Sequence, residues 1–396
     1  MWKPATDGML ALSRRFSRRS VPYCAVLDAV PTALPRRFTH GVASVTVLDT
    51  AHPGDDRALR KWLMDNPAAV PRCILGKTEG NGCVNDFTRG YASHVVKEAM
   101  GDRAGDASII MSGGTEGILT PHLLMFANES SSSAMLAADH QPRLSLGVAR
   151  TRTLAPHELG RLAQIEATCD AVLEACADAG LAPRDCCFVQ IKCPLLTPER
   201  VRLSGEPCAT EDGYYSMALS RGASALGVAL ATGELPRSEL AAVANDVCID
   251  FTWGSSVASA SAGIELEHSE IFVLGNAARS TSTLRAASCV MADALDSPSV
   301  VKMFKAAGLQ LEDGQLTQPA RARVRAVLAK ADPAASVREH RTTMCSDSDL
   351  NATRHARASV GGLLGGLVGD TRLYVSGGAE HQGPDGGGPV CVIYEA

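Results

Sequence analysis

Short apolar runs recur along this chain, and several are followed at once by serine and glycine. Ile109–Met111 precedes the string SGGTE, and Leu373–Val375 precedes the string SGGAE. Short apolar runs bounded by Gly, Asn and Pro predict β-strands. Apolar residues return after each serine string, at 123–126, 271–274 and 390–393. The pattern therefore predicts pairs of strands joined near a Ser-Gly turn.

Apolar positions at helical spacing predict helices between these strands. Such spacing is found over 157–179 and 299–309. Shorter helices are expected to begin close to Thr88, Ser220 and Thr353, because Ser and Thr can cap a helix N-terminus. The serine run 130–133 and the polar stretch 277–283 have the composition of linkers and are candidate boundaries.

A third, degenerate copy of the serine string lies in the middle of the chain, where SAGIE occupies residues 261–265. Each copy is preceded by a lysine that ends an apolar run and by an arginine near a predicted helix start. Self-similarity of this kind indicates an internal repeat. We predict an α/β (α+β) protein of three similar sheet-plus-helix domains. The predicted segments are an N-terminal extension at 1–40 and repeat domains at 41–135, 145–278 and 284–396.

Composition limits the classes of function. The chain has 396 residues, a net charge of -5 and a mean hydropathy of +0.02. It lacks the ~18 consecutive apolar residues of a membrane span, and its charge argues against a nucleic-acid-binding domain. The thirteen cysteines include no CxxC pair, which favours reduced thiols and a cytoplasmic location. The Arg-rich stretch LSRRFSRRS resembles a transit peptide, but we interpret residues 1–40 as a solvated extension.

The recurring lysine, arginine and serine suggest a nucleophilic site. Serine needs a neighbouring base, and a lysine can be that base when burial or a nearby cation lowers its pKa. An arginine would supply the cation and a fork of donors, while backbone N–H groups of a Ser-Gly turn can polarise a carbonyl. Taken singly, each residue is more often a surface charge or an ordinary turn. Because the same three residue types recur in all three copies, we favour a site that attacks an amide-like carbonyl. Its expected ligand is a small, flat, roughly threefold molecule.

Four longer strings carry a specific resemblance. They are GKTEGNGCVNDFTRG (76–90), MSGGTEGILTPH (111–122), TRHARA (353–358) and SGGAEHQGPDGGGP (376–389). They closely resemble the ring-opening amidohydrolases, the cyanuric acid hydrolase and barbiturase family, and the resemblance extends from about residue 41 to the C-terminus. It implies three domains around a pseudo-threefold axis with the active site at the centre.

The resemblance also implies roles for individual residues. The nucleophile and its base fall in the middle domain, at Ser261 and Lys192, and Lys77 and Lys330 support the other two serines. Ser255, Ser256 and Ser259 lie close by, but Ser261 aligns with the turn serines of the outer copies. The implied substrate-binding residues are Arg89, Ser112, Gly113, Arg221, Ser261, Ala262, Arg354, Ser376 and Gly377.

The implied reaction is hydrolytic opening of a small cyclic imide. Cyanuric acid would give carboxybiuret, which loses carbon dioxide to give biuret, with no cofactor in the chemistry. Two alternatives stay open. One is a barbiturase, which opens barbituric acid to ureidomalonate and whose preference would depend on contacts near Leu350 and Asn351. The other is a non-catalytic ring-binding protein on the same scaffold.

The C-terminal loop has a further implied role. In the family it wraps a structural divalent cation, Mg²⁺ or Ca²⁺, through mostly backbone oxygens, which are ligands that such hard cations prefer. The implied ligands here are Asp332, Ala379, Gln382, Gly383, Pro384 and Gly387. Asp332 departs from the family pattern, in which a longer glutamate is expected. The family also implies a homotetramer.

Overall fold

The computed structural model describes residues 42–129 and 141–396. The predicted N-terminal extension at 1–40 and the serine linker at 130–133 lie outside the described residues. Within those ranges the chain forms three four-stranded sheets that occupy 42–129, 143–277 and 284–395. The domain boundaries proposed from the sequence stay a prediction.

The first unit is a sheet with two helices on its outer side. Its elements are β1 (Val42–Asp49), α1 (Arg57–Asp65), β2 (Val70–Thr78), α2 (Phe87–Met100), β3 (Ser108–Gly113) and β4 (His122–Glu129). The strand order is β1-β4-β2-β3, and β2 pairs in parallel with β3 across the crossover helix α2. Residues 71–78 of β2 are all buried. A strand that is buried along nearly its whole length is expected where both faces of a sheet are covered.

The second unit repeats this plan with a longer crossover. Its elements are β5 (Arg143–Arg150), α3 (Leu162–Ala179), β6 (Cys186–Pro194), α4 (Pro198–Leu203), α5 (Gly213–Thr232), α6 (Leu240–Val243), β7 (Ala258–Gly263) and β8 (Glu270–Ala277). The strand order is β5-β8-β6-β7, with β6 and β7 parallel. Helix α5 lies in the crossover and packs against α3.

The third unit has the same sheet with small additions. Its elements are β9 (Leu284–Met291), α7 (Ser297–Ala306), β10 (Leu311–Glu312), β11 (Gln315–Leu316), α8 (Gln318–Arg323), β12 (Val324–Ala331), β13 (Ser336–Val337), β14 (His340–Arg341), α9 (Ala352–Val368), β15 (Tyr374–Gly377) and β16 (Gly388–Glu395). The sheet order is β9-β16-β12-β15, and β12 and β15 are parallel across α9. All three sheets thus place equivalent strands in equivalent positions.

One buried core joins the three sheets at the centre of the molecule. Phe126 on β4, Phe188 on β6, Phe272 on β8 and Tyr374 on β15 belong to the same apolar cluster. The ring centroids of Phe126 and Phe272 are 4.8 Å apart, within the range of favourable aromatic pairs. Separate clusters fill the spaces between each sheet and its own helices. The predicted α/β fold of three similar sheet-plus-helix units is confirmed.

The predicted helix starts need correction. The helix expected over 157–179 begins at Leu162, because residues 156–158 form a 3-10 turn and Gly160 then takes a φ of 75°. The crossover helices are capped by Asp86, Asp212 and Asn351 rather than by Thr or Ser. Helix α5 begins at Gly213, so Arg221 lies well inside it. No helix in the described ranges combines the length and apolar character needed to cross a bilayer.

Candidate active site

The lysine and the serine of each repeat lie side by side in a parallel strand pair. The lysine is near the end of the first strand, and the serine occupies the opposite position on the strand that follows the crossover helix. The paired positions are Lys77 with Ser112, Lys192 with Ser261, and Lys330 with Ser376. Because parallel strands require a crossover, the intervening helix brings an arginine to the same end of each sheet.

The three lysines also link the units to one another. Each ammonium donates to the carbonyl oxygen of the residue just before the serine of another unit. These contacts are Lys77 Nζ to Val375 O at 2.7 Å, Lys192 Nζ to Met111 O at 2.7 Å, and Lys330 Nζ to Ala260 O. We call this cycle of Lys77, Lys192 and Lys330 the lysine ring. All three side chains are buried, so the ring lies in the interior of the molecule.

The middle unit differs from the other two in how its lysine is held. Lys77 Nζ donates to Ser112 Oγ at 3.3 Å, and Lys330 Nζ donates to Ser376 Oγ at 3.2 Å. Lys192 Nζ instead lies 3.3 Å from Glu265 Oε1. The hydroxyl of Ser261 donates to the Ile191 carbonyl at 3.4 Å. The sequence divergence of the middle repeat therefore coincides with a different arrangement of its charges.

Burial changes the pKa of these lysines. Desolvation lowers the pKa of Lys192 to about 8, with Arg89 adding to the decrease and Glu265 opposing it. Desolvation lowers the pKa of Lys330 to about 7, and the nearby Arg221 contributes. Burial, reinforced by Arg357, holds the pKa of Lys77 well below its usual value. With pKa values of about 8 and about 7, Lys192 and Lys330 are partly or largely neutral near pH 8, and each can therefore accept a proton.

A polar cavity opens between the three units. Each unit contributes an arginine, a serine and the residue after that serine. The lining residues are Arg89, Ser112, Gly113, Arg221, Ser261, Ala262, Arg357, Ser376 and Gly377, with Gly82 and Met217. The cavity thus offers a nearly threefold set of hydroxyl and guanidinium donors.

The third arginine of the cavity is Arg357, not the predicted Arg354. Both lie on α9, which begins at Ala352. Arg354 lies one helical turn nearer the helix start, and its side chain is 35% exposed. The Arg357 side chain is 3% exposed and lines the cavity. Arg357, rather than the predicted Arg354, is therefore the arginine that α9 contributes to the cavity lining.

Three glutamates were missed by the sequence analysis. Glu116, Glu265 and Glu380 each stand at the fifth position of the strings SGGTE, SAGIE and SGGAE, which is a signal that was present in the repeat. Glu116 accepts two hydrogen bonds from Arg357, both at 2.7 Å. Glu380 accepts two from Arg221, at 2.7 and 2.6 Å. Such bidentate pairs fix the guanidinium plane as well as its position.

Arg89 is held differently from the other two cavity arginines. Its guanidinium donates to the carbonyl oxygens of Ala262 at 3.0 Å and Cys83 at 2.7 Å. The Asp86 carboxylate is 3.6 Å from Arg89 Nε. The glutamate that would complete the threefold set of Arg–Glu pairs is Glu265, which contacts Lys192 instead.

The predicted metal-binding residues Ala379, Gln382, Gly383, Pro384 and Gly387 lie in the loop between β15 and β16, and Asp332, which directly follows β12, contacts that loop. Asp332 Oδ1 accepts from Ala379 N at 2.9 Å, and Asp332 Oδ2 accepts from Gly386 N at 3.2 Å. Burial and then the nearby Glu380 raise the pKa of Asp332 to about 7. The Gln382 side chain accepts from Ala260 N at 2.7 Å, which leaves its backbone carbonyl as the available ligand.

Side-chain clusters give no independent sign of a metal. Across 42–129 and 141–396, no group of three or more His, Cys, Asp or Glu side chains is arranged to hold one. Asp332 together with backbone carbonyls of 379, 382, 383, 384 and 387 is nevertheless an oxygen-only donor set. That set fits Mg²⁺ or Ca²⁺ in its chemistry, because hard cations accept carbonyl and carboxylate oxygens.

The paired lysines and serines of the three units lie around a shared polar cavity. Comparison with known proteins gives the family. The model of the amidohydrolase ring-opening proteins matches residues 44–395, and the chain belongs to that family. It is therefore a hydrolase that acts on the C–N bonds of cyclic amides.

Individual relatives cover nearly the same range. A cyanuric acid amidohydrolase from Ectopseudomonas oleovorans is 46% identical over 368 residues, which are 88% of this chain and 98% of that protein. One from Bradyrhizobium diazoefficiens is 47% identical over 87% of this chain and 95% of its own. A solved cyanuric acid hydrolase superposes with a TM-score of 0.82 at 43% identity, covering 90% of this chain and 99% of the other. The cyanuric acid hydrolase from A. caulinodans gives a TM-score of 0.80 at 43% identity, with coverage of 89% and 99%.

Proposed function

We propose that this protein hydrolyses a ring C–N bond of cyanuric acid. The observation that carries the proposal is the register of the three Lys–Ser pairs around one cavity. The similar proteins named as cyanuric acid amidohydrolases support the choice of substrate.

The shape of the substrate matches the symmetry of the cavity. Cyanuric acid is a flat ring in which three carbonyls alternate with three N–H groups. Ser112, Ser261 and Ser376 can each face one edge of such a ring, and Arg89, Arg221 and Arg357 supply charged donors for its oxygens. Arginine forks suit planar acceptors because their donors lie in one plane. We assign substrate binding to these six side chains, with Gly113, Ala262 and Gly377 as backbone neighbours.

We assign the role of nucleophile to Ser261 and the role of general base to Lys192. Neutral Lys192 accepts the Ser261 proton as Oγ attacks a ring carbonyl carbon. The tetrahedral intermediate collapses with cleavage of the ring C–N bond, and the Lys192 ammonium returns its proton to the departing nitrogen. Water then hydrolyses the acyl-enzyme, again with Lys192 as base, to release carboxybiuret. Carboxybiuret loses carbon dioxide outside the enzymatic step and gives biuret.

The other two lysines have a supporting role in this scheme. Lys77 and Lys330 hold the hydroxyls of Ser112 and Ser376 by hydrogen bonds of 3.3 and 3.2 Å. A donated hydrogen bond from lysine leaves the serine O–H free to donate to a substrate oxygen. These two pairs thus orient the ring while Ser261 reacts.

Barbituric acid is the alternative substrate. It keeps three carbonyls and replaces one ring N–H with a methylene, so the same serines and arginines would hold it. The candidate discriminators Leu350 and Asn351 lie at the start of α9, where Asn351 caps the helix by accepting from Thr353 N at 3.0 Å. Neither residue lines the cavity as described.

The decisive experiment is product analysis with purified protein. Cyanuric acid and barbituric acid are supplied separately, and biuret and ureidomalonate are quantified, with Ser261→Ala as the matched blank. Biuret formation with little ureidomalonate supports the proposal. Dominant ureidomalonate would identify a barbiturase. Binding of either ring without turnover would identify a non-catalytic ring-binding protein.

We also propose a structural divalent cation in the C-terminal loop. Asp332 would supply the carboxylate, and Ala379, Gln382, Gly383, Pro384 and Gly387 would supply backbone oxygens. A bound cation would stabilise the loop that carries Glu380, the partner of Arg221. Magnesium is our first choice, and calcium has the same ligand chemistry.

Two further expectations concern the protein as a whole. The cysteines in the described ranges are free thiols, which supports our proposal of a cytoplasmic protein. The homotetramer rests on resemblance to the family. Light scattering coupled to gel filtration tests it, and a monomer peak would contradict it.

A further inference from the structure

The threefold pattern of Arg–Glu pairs is broken at one position. Arg357 pairs with Glu116, and Arg221 pairs with Glu380, each through two hydrogen bonds. The third pair would join Arg89 to Glu265. Glu265 instead lies 3.3 Å from the ammonium of Lys192. The pattern is therefore interrupted at Lys192, the lysine to which we assign the role of catalytic base.

The glycines after the serines explain how the turn differs. The third residue of each serine string is Gly114, Gly263 or Gly378. Gly114 and Gly378 take φ values of +98° and +77°, and a Cβ at either would collide with the guanidinium of the paired arginine. Gly263 is not in the left-handed region, and a Cβ there would collide with both the Glu265 carboxylate and Lys192. The glycine of the middle turn therefore faces a carboxylate and the lysine, whereas the glycine of each outer turn faces an arginine.

We infer that Glu265 is the positioning residue that selects Lys192 as the base among the three lysines at equivalent register positions. The inference rests on the proposed function. When Lys192 accepts the Ser261 proton it becomes an ammonium in a buried site. Glu265 balances that charge and holds Nζ between Ser261 and the departing ring nitrogen. The proton passes from Ser261 Oγ to Lys192 Nζ and then to the ring nitrogen, and Glu265 neither gains nor loses one.

The other groups around Lys192 cannot play this part. Its ammonium also donates to Met111 O at 2.7 Å, which is a neutral acceptor. Arg89 is cationic and opposes protonation of Lys192, and the Cys193 thiol lies next to it in sequence. Glu265 is thus the anionic side chain in contact with Lys192. An anion that holds a catalytic base in position has the role that the carboxylate has in serine-protease triads.

The test is the pH dependence of kcat in Glu265→Gln, with Glu116→Gln and Glu380→Gln as matched controls. The ascending limb of kcat reports deprotonation of the base in the enzyme–substrate complex. Loss of the Glu265 charge removes an interaction that favours the ammonium, so we expect the limb to move to lower pH by about one unit. We also expect kcat at the plateau to fall about tenfold to a hundredfold, since the base is less well placed.

The controls remove the same charge from equivalent positions, where it pairs with arginine. Glu116→Gln and Glu380→Gln should raise KM and leave the ascending limb in place. An unchanged limb and kcat in Glu265→Gln would overturn the inference, as would equal limb shifts in all three variants. If Glu265→Gln does not fold, Glu265→Asp is measured, because it keeps the charge but withdraws it by one methylene. A wild-type limb and kcat in Glu265→Asp would also overturn the inference.

Ser261→Ala separates this inference from the proposed function. Loss of turnover in Ser261→Ala with normal behaviour of Glu265→Gln would leave the proposed function standing and reject the role of Glu265. Full turnover in Ser261→Ala would reject the assigned nucleophile, and the role of Glu265 with it.

Discussion

Lys192 Nζ donates to the carbonyl oxygen of Met111 at 2.7 Å, one residue before Ser112 in the neighbouring unit. This contact links the lysine of one unit to the strand that carries the serine of another. The same relation recurs from Lys77 to Val375 and from Lys330 to Ala260. The site therefore combines Lys–Ser pairs formed inside each unit with contacts made between units.

The roles that we assign to the three lysines predict different effects on kcat when each lysine is replaced by methionine. Lys192→Met should lower kcat by about 10³-fold or more, because it removes the base. Lys77→Met and Lys330→Met should keep measurable kcat and raise KM, since these lysines orient Ser112 and Ser376 and neither is the assigned base. Steady-state kinetics on the three variants, each checked for folding by circular dichroism, make the comparison. Equal losses of kcat in all three would contradict the division of roles.

The two arginines of α9 give a second prediction. Arg357→Lys keeps the charge but loses the planar fork that binds Glu116, so we expect kcat/KM to fall by about 10²-fold. Arg354→Lys should change kcat/KM by less than about threefold, because a partly exposed ion pair contributes little. If Arg354→Lys proved the more damaging change, the position of α9 relative to the cavity would be wrong.

Activity should depend on the protonation of Lys192. Desolvation lowers its pKa from the usual 10.5 to about 8, and only the neutral amine accepts the Ser261 proton. We therefore expect kcat/KM to rise from pH 6 through about pH 8 and to level off at higher pH. A profile measured with constant ionic strength tests this. Activity that falls steadily between pH 6 and pH 9 would argue against a lysine base.

The proposed cation predicts a ligand-dependent melting temperature. A ligand at about 100 times its Kd stabilises the fold by about 2.7 kcal/mol. Removal of divalent ions with a chelator should thus lower Tm by several degrees, and added Mg²⁺ should restore it. Asp332→Asn should abolish this response to Mg²⁺. An identical Tm with and without the chelator would contradict the site.

Much of the fold could be predicted because the residues that recur in the three copies lie on or next to strands. Lysines that end apolar runs and serines that begin turns sit at fixed register positions, so alignment of the three copies predicts that they pair. The choice between Arg354 and Arg357 could not be made in the same way. It depends on where α9 begins, and the cap is Asn351 rather than the Thr that the sequence suggested.

The charged partners were harder to predict for a different reason. Glu116 binds an arginine of the third unit, and Glu380 binds an arginine of the second. These pairs cross from one unit to another, so periodicity inside a unit says nothing about them. The contact of Glu265 with Lys192, instead of with Arg89, was harder still to predict from the sequence. It depends on the backbone conformation at Gly263.

The most direct test of the central claim compares Ser112→Ala, Ser261→Ala and Ser376→Ala in one assay of cyanuric acid turnover. The three serines occupy equivalent register positions, and each substitution removes the same hydroxyl. We predict that Ser261→Ala loses turnover by about 10³-fold or more, while the other two keep measurable turnover with a raised KM. Turnover of Ser261→Ala comparable to that of the other two variants would contradict the account.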